Sequence, residues 1–171
     1  MLAHLLLMAV AALTSTDSPA MPRVRSSHPY IRAMVAEAQV RSATFRRLVS
    51  LIESSDGIVY IEEGDCGHGV HACLPPLVTY SGGFRILRVL IDARQEDWEV
   101  MSNIGHELQH AMEVLREPSA RTNTGAFFLF YPTNAGSRNR FETSEALRAG
   151  DAVRNEVASF ARKGSTMGLS R

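Results

Sequence analysis

The chain has no excess of either charge and no long apolar stretch, and both features restrict what it can do. It carries 18 Lys and Arg residues against 18 Asp and Glu residues, so its formal net charge is zero. Binding to the phosphate backbone of a nucleic acid needs a basic excess, so we expect no nucleic-acid partner. The apolar run 2–13 is shorter than the roughly 20 residues that a membrane-spanning helix needs, so we expect no stable membrane span.

The apolar run 2–13 is instead typical of a secretory signal peptide. Small and polar residues follow it at 15–20, and Ser18-Pro19-Ala20 offers a cleavage signal. The departure from the usual pattern is that no Lys or Arg precedes the run. We therefore predict a signal peptide over residues 1–20 and a secreted or periplasmic chain.

Cysteine is scarce, with only Cys66 and Cys73 present. In an oxidising compartment these two residues can form a disulfide that closes a short loop. The alternative is a metal site that adds His68 and His71, although this spacing is not that of a standard zinc finger or ribbon. The disulfide is the favoured interpretation if the chain is exported.

The length and composition indicate one domain with a sizeable core. The chain has 171 residues, of which 45% are hydrophobic and 21% charged, ordinary values for a globular protein. We predict a linker at 21–29, a single domain at 30–164 and a tail at 165–171.

Hydrophobic periodicity within this domain predicts an α+β fold. The apolar spacing is helical in three stretches, and β-branched or aromatic residues mark three strands, two of which are joined by the short hairpin Ser81-Gly82-Gly83. The predicted elements are a helix at 30–54, strands at 58–61, 77–80 and 84–91, a helix at 96–116, a long connection at 121–140 and a helix at 141–162. This order predicts a small antiparallel sheet packed on the second helix, followed by a C-terminal helix.

The second helix carries the chemistry-bearing motif. His106, Glu107 and His110 form an H-E-x-x-H sequence. Two histidines four residues apart project from the same helix face, so both imidazoles can reach one ion. Zinc accepts such nitrogens and lowers the pKa of bound water, while the intervening carboxylate can take the proton of that water. Glu107 is therefore the candidate general base.

These residues resemble the zincin metallopeptidases. The resemblance implies a Zn²⁺ cofactor, a peptide or protein substrate, and a sheet whose edge strand lines the cleft. One departure is Asn103, where the extended family pattern prefers Val or Thr. The chain also resembles uncharacterised bacterial secreted metalloproteins with a GHELQHA helix, and this resemblance implies no substrate.

A catalytic zinc site takes a third protein ligand. The metzincin extension is excluded because Glu113 and Arg116 stand where Gly and His are required. The remaining resemblance is to gluzincins, which implies a Glu from a later helix. Glu142 is the favoured candidate because it shares one stripe of the predicted third helix with Ala146, Ala149, Val153 and Val157. Most of this stripe is apolar, and a carboxylate on it is costly unless it is paired or metal-bound. Glu145, on a face that looks solvated, and Glu113 remain alternatives.

Other residues have weaker assignments. Glu113 also lies on the ligand face, where it could hydrogen-bond a ligand histidine. Tyr131, Arg154 and His71 are candidate donors to an oxyanion, and the apolar run 127–131 is a candidate wall of the cleft. Gly105 is expected to permit close packing against the sheet.

Three functions are compatible with these observations. The first is a zinc-dependent hydrolase, a metallopeptidase in which Glu107 acts as base. The alternative is a non-catalytic zinc-binding or scaffold protein derived from a zincin, against which the intact Glu107 argues. The third is an α+β domain without metal, in which the motif is coincidental.

Overall fold

The chain folds into five helices and five strands within residues 21–67, 69–130 and 142–167, which are the residues that the computed structural model describes. The predicted signal peptide, His68 and the segment 131–141 lie outside these ranges. The elements in chain order are β1 (Val24–Arg25), α1 (Pro29–Arg41), α2 (Ala43–Glu53), β2 (Gly57–Glu63), β3 (Ala72–Cys73), β4 (Thr79–Ser81), β5 (Phe84–Ile91), α3 (Asp97–Arg116), α4 (Asn123–Phe130) and α5 (Ser144–Met167). The α+β class is therefore confirmed.

The sheet is mixed, so the prediction of an antiparallel sheet is wrong. Strands β1, β2 and β5 lie side by side in parallel, and β3 and β4 pair antiparallel with the other edge of β5. Strand β1 lies within the stretch 21–29 that was predicted to be a linker. Among the described strands, only the β4–β5 connection is a tight hairpin; its two glycines, Gly82 and Gly83, have φ values of 58° and 84°. Positive φ at both central residues suits a two-residue hairpin, so the predicted hairpin is confirmed.

One face of the sheet carries the core. Along β2 and β5 every second side chain is buried, as expected for strands with one covered face. The inward side chains pack against the helices; they are Val59, Ile61, Leu87, Val89 and Ile91, each at most 1% exposed.

The first predicted helix, 30–54, is two helices. Ser42 separates them because its backbone is extended, with φ −125° and ψ 122°. Its side-chain oxygen accepts a hydrogen bond from the backbone N–H of Phe45 at 3.0 Å and so caps the start of α2. The junction is further held by α5, because the carboxylate of Glu156 accepts hydrogen bonds from the hydroxyls of Ser42 and Thr44. The side chain of Glu156 is therefore half-buried and has a structural role.

Helices α3 and α5 approach each other closely. A Cβ atom added at Gly105 would lie 2.7 Å from Val153 Cγ2, and one at Gly150 would lie 3.3 Å from His106 Cβ. The hydroxyl of Ser102 donates to the carbonyl of Gly150 at 3.0 Å. Gly105 thus permits packing against α5, and the prediction that it packs against the sheet is wrong.

The predicted connection 121–140 contains helix α4. The apolar residues at 126–129 lie on it, with Ala126 buried and Phe127 and Phe128 exposed. The Gly, Asn and Thr residues that suggested a loop supply its first turn. The side chain of Asn123 accepts a hydrogen bond from the backbone N–H of Val78 at 2.6 Å, which attaches α4 to the segment before β4.

Cys66 and Cys73 form a disulfide, as favoured from the sequence. Because both thiols are used in this bond, the alternative metal site built on these cysteines is excluded. The disulfide closes the loop that leads into β3, the short strand at the far edge of β5.

Candidate metal centre

Helix α3 places the motif between the sheet and α5. It runs over Asp97–Arg116, one residue shorter than predicted, and begins with a capping box between Glu96 and Glu99. Its side chains at Ile104 and Leu108 are fully buried and fix its rotation relative to the core. This rotation turns the histidine face of the helix toward the start of α5.

Three residues converge on this face and could hold a metal ion. They are His106, His110 and Glu142, and one ligand atom from each lies within 4.8 Å of the others. Glu142 Oε1 is 3.3 Å from His106 Nε2 and 3.8 Å from His110 Nε2. The two imidazole rings have centroids 4.9 Å apart.

Glu142 reaches this position from outside the helix on which it was predicted. Helix α5 begins at Ser144, so Glu142 lies two residues before it, and its side chain is 45% exposed. The apolar stripe of α5 is buried as expected, at Ala146, Ala149, Val153 and Val157. The stripe does not include Glu142, however, so the burial argument that selected this residue is wrong even though the residue lies beside both histidines.

Glu113 fixes the orientation of His110. The Nδ1–H group of His110 donates to Glu113 Oε2 at 3.1 Å, which leaves Nε2 directed toward Glu142. The other carboxylate oxygen, Oε1, accepts a hydrogen bond from the hydroxyl of Thr143 at 2.8 Å and one from Gln109 Nε2 at 3.3 Å. Of the two roles open to Glu113, the contacts are those of a residue that orients a ligand histidine.

Thr143 supports the site in a way that could not be predicted from the sequence. Its hydroxyl oxygen also accepts from the backbone N–H of Ala146 at 3.1 Å, and its carbonyl accepts from Leu147 N–H, so Thr143 caps α5. Because Thr143 follows Glu142 directly, one residue ties the cap of α5, the orientation of His110 and the position of Glu142 together. A threonine directly before a helical run is readable from sequence as a cap, but its bond to Glu113 is not.

The charges at the site follow from burial and hydrogen bonding. Burial, with help from the nearby His110, lowers the pKa of His106 to about 4, so this imidazole is neutral at neutral pH. Burial disfavours charge on His110 as well, but the hydrogen bond to Glu113 and the negative charges of Glu107, Glu113 and Glu142 together outweigh it and raise the pKa of His110. Burial likewise opposes the charge of Glu113, and the bonds from His110 and Thr143 prevail and lower its pKa.

Glu107 is the most buried acid of the site, with 4% exposure. Burial raises its pKa to about 7, and a hydrogen bond from the backbone N–H of Leu74 opposes that rise. Its Oε1 lies 4.0 Å from His106 Nε2. Leu74 directly follows β3, so the sheet edge and the motif helix meet at this carboxylate.

The remaining candidates lie in other contacts. Glu145 is exposed and pairs with Arg148 at 2.7 Å, as its predicted solvated face implied. Arg154 stacks over Trp98 with its guanidinium carbon 5.4 Å from the ring centre. His71 lies 3.6 Å from Asp92, and Tyr131 lies outside the described residues. Arg154 and His71 are therefore engaged in contacts other than those of an oxyanion donor.

Comparisons of the chain with protein-family models, with curated proteins and with solved structures found no match. The zincin resemblance therefore stays a prediction from the motif. Across the described residues, no helix combines the length and the apolar character needed to cross a bilayer.

Proposed function

We propose that the chain is an exported zinc-dependent hydrolase, a metallopeptidase in which His106, His110 and Glu142 hold zinc and Glu107 is the general base. The observation that carries the proposal is the convergence of these residues from two separate parts of the chain. An H-E-x-x-H sequence alone fixes two ligands, whereas Glu142 adds a third donor 3.3 Å from His106 Nε2.

The donor set fits zinc. Two imidazole nitrogens and one carboxylate oxygen are the protein ligands of a known class of catalytic zinc sites, which keep a further position for water or substrate. His106 is neutral at neutral pH, the form that ligates metal. His110 has its Nδ1 engaged by Glu113, an arrangement that commonly orients a metal-ligating histidine.

A bound zinc ion supplies Lewis acidity that lowers the pKa of water toward about 7 and polarises a carbonyl. Glu107 then accepts a proton on its carboxylate and can deliver it to the leaving nitrogen. The close approach of Glu107 Oε1 to His106 Nε2, at 4.0 Å, supports this role. The Leu74 N–H bond holds the carboxylate in one orientation, and burial of Glu107 keeps bulk water away from the transferred proton.

A peptide is the substrate class that the surroundings of Glu107 favour. Strand β3 lies at the edge of the sheet in the described chain, and Leu74 joins this edge to Glu107. An extended peptide can add to a strand edge through main-chain hydrogen bonds. Such a peptide would pass beside the carboxylate that acts on it.

The disulfide supports export. Structural disulfides persist in oxidising compartments and are rare in the cytosol, and Cys66 and Cys73 are joined in this chain. We therefore propose that the chain is secreted or periplasmic, which is also what the predicted signal peptide implies.

The test is hydrolysis of a peptide mixture, followed by mass spectrometry, with zinc content measured on the same samples. Glu107→Gln is expected to retain zinc and to lose hydrolysis by at least about a hundredfold, since general base catalysis contributes roughly 10²–10⁴-fold. Glu62→Gln, an equivalent change on the sheet, is the control and should leave both unchanged. Zinc retention without hydrolysis in the unmodified chain would instead support the non-catalytic alternative.

A further inference from the structure

A second polar site lies in a groove where α2, α3 and α5 meet. The groove has a volume of about 290 Å³, and each of these helices contributes one arginine to it: Arg47, Arg116 and Arg148. Thr44 and Gln109 supply neutral polar groups to the same wall. None of these side chains is a proposed metal ligand.

The groove is more basic than the chain as a whole. Glu145 is the only carboxylate among the described residues that line it, and it pairs with Arg148 at 2.7 Å. Within the described part of the chain, Arg47 and Arg116 make no ion pair with a carboxylate. The groove therefore keeps two uncompensated positive charges in a chain whose formal net charge is zero.

Three arginines that line one concave surface place like charges near one another, and a bound anion reduces their mutual repulsion. The planar guanidinium presents paired N–H donors that match the oxygens of a phosphate group. The arginines do not contact the metal centre directly, because the side chains of Gln109 and Glu113 connect the groove to His110. Gln109 Nε2 donates to Glu113 Oε1, and the other oxygen of Glu113 bonds the Nδ1 side of His110.

We propose that this groove is a binding site for a phosphate group, separate from the metal centre. Arg47 and Arg116 are the main ligands, and Arg148 contributes in competition with Glu145. The shared chemistry is a phosphate dianion or monoanion, whether free in solution or carried on a larger molecule.

The test is calorimetric titration of the full chain with inorganic phosphate, at constant ionic strength maintained with chloride. The unmodified chain should show saturable binding, and Arg47→Ala/Arg116→Ala should weaken it by about tenfold or more because charge-assisted hydrogen bonds are lost. The control Arg88→Ala/Arg94→Ala removes the same charge from exposed positions elsewhere, with side chains 63% and 85% exposed. It should bind phosphate within about twofold of the unmodified chain.

Glu145→Gln should strengthen phosphate binding, and a misfolded variant would not show such a gain. Because it frees Arg148 and removes a negative charge, phosphate should bind about two- to tenfold more tightly. Binding must also persist in His106→Ala/His110→Ala, since the site does not use the metal centre. A parallel titration with glycerol phosphate distinguishes the sources: equal or tighter binding indicates a phosphate ester, and binding of inorganic phosphate alone indicates the free ion.

Three results would overturn the proposal. One is the absence of saturable binding in the unmodified chain. Another is equal weakening by the two double-arginine variants, which would reduce the effect to net charge. The third is loss of binding in the histidine variant, which would place phosphate at the metal centre.

Discussion

The motif helix is anchored at its C-terminal end by a single arginine from the sheet, and replacing it should have a large effect. Arg85 on β5 is 4% exposed. Its guanidinium donates to three carbonyl oxygens at the end of α3, those of Val114 at 2.9 Å, Leu115 at 2.5 Å and Glu117 at 2.8 Å. Carbonyls at a helix end lack the usual partner four residues on, and those of Val114 and Glu117 also accept from the backbone N–H groups of Glu117 and Ala120. The same guanidinium also donates to the carboxylate of Asp56 at 2.6 Å.

We predict that Arg85→Met lowers the free energy of unfolding by about 3 kcal/mol. Removing one partner of a buried ion pair costs roughly 3–5 kcal/mol because the other partner is left buried and unpaired. The lower end applies because Asp56 is 29% exposed and can rehydrate. Methionine fills much of the space of the arginine stem, so little cavity cost is added. Since a domain of this size is stable by about 5–15 kcal/mol, the variant should remain folded.

The measurement is urea unfolding followed by circular dichroism. The matched control is Arg88→Met on the same strand, whose side chain is 63% exposed and 3.5 Å from Glu62. Exposed pairs of this kind contribute roughly 0–1 kcal/mol. A difference between the two variants below about 1 kcal/mol would refute the conclusion that Arg85 anchors α3.

Three further predictions concern the elements that position the site. Thr143→Val should weaken zinc binding by about 10–100-fold in a competition titration with a chelator, because the hydroxyl that holds Glu113 is lost; Thr143→Ser keeps the hydroxyl and should bind like the unmodified chain, and equal affinity in the Val variant would contradict the role. Burial opposes the charge of Glu156, but hydrogen bonds from its neighbours prevail and lower its pKa. The stability that Glu156 contributes is therefore complete above its unfolded pKa of about 4.3 and is lost as the pH falls below that value. Denaturant titrations should accordingly show Glu156→Gln less stable at pH 7 and the gap closing toward pH 3, whereas a constant gap would exclude the carboxylate charge as its cause. Gly105→Ala should destabilise the chain by about 1–3 kcal/mol despite the higher helix propensity of Ala, since its Cβ would lie 2.7 Å from Val153 Cγ2. The second change Val153→Ala should recover part of that loss in thermal unfolding, and additive losses would indicate that the two residues do not meet.

The helices and strands with a strong hydrophobic periodicity could be predicted from the sequence alone. Strand β5 was predicted at 84–91 and is observed there, and the motif helix differs by one residue at its start. The helix break at Ser42 was missed because apolar spacing continues through it. The parallel pairing of β2 with β5 was missed because no residue pattern in two short strands records their direction, and the hairpin with β4 suggested the opposite.

The residues of the candidate site could be predicted from the sequence, but the tertiary contacts that bring them together could not. His106 and His110 share a helix face because of their spacing, and the sequence drew attention to Glu142, which lies beside both histidines. The actual position of Glu142 depends on Thr143, which caps α5 and bonds to Glu113, and this is a tertiary contact between distant parts of the chain. Leu74 N–H could not be predicted either, because a backbone group carries no sequence signal.

Metal content tests the central claim most directly. The purified chain, the variant His106→Ala/His110→Ala, and the pair Glu142→Ala and Glu145→Ala would be measured by mass spectrometry after equilibration with zinc and removal of the excess. We predict about one zinc per chain in the unmodified protein and in Glu145→Ala, none in the histidine variant, and strongly reduced content in Glu142→Ala. Absence of zinc from the unmodified chain, or equal zinc in all four proteins, would contradict a metal centre at these residues.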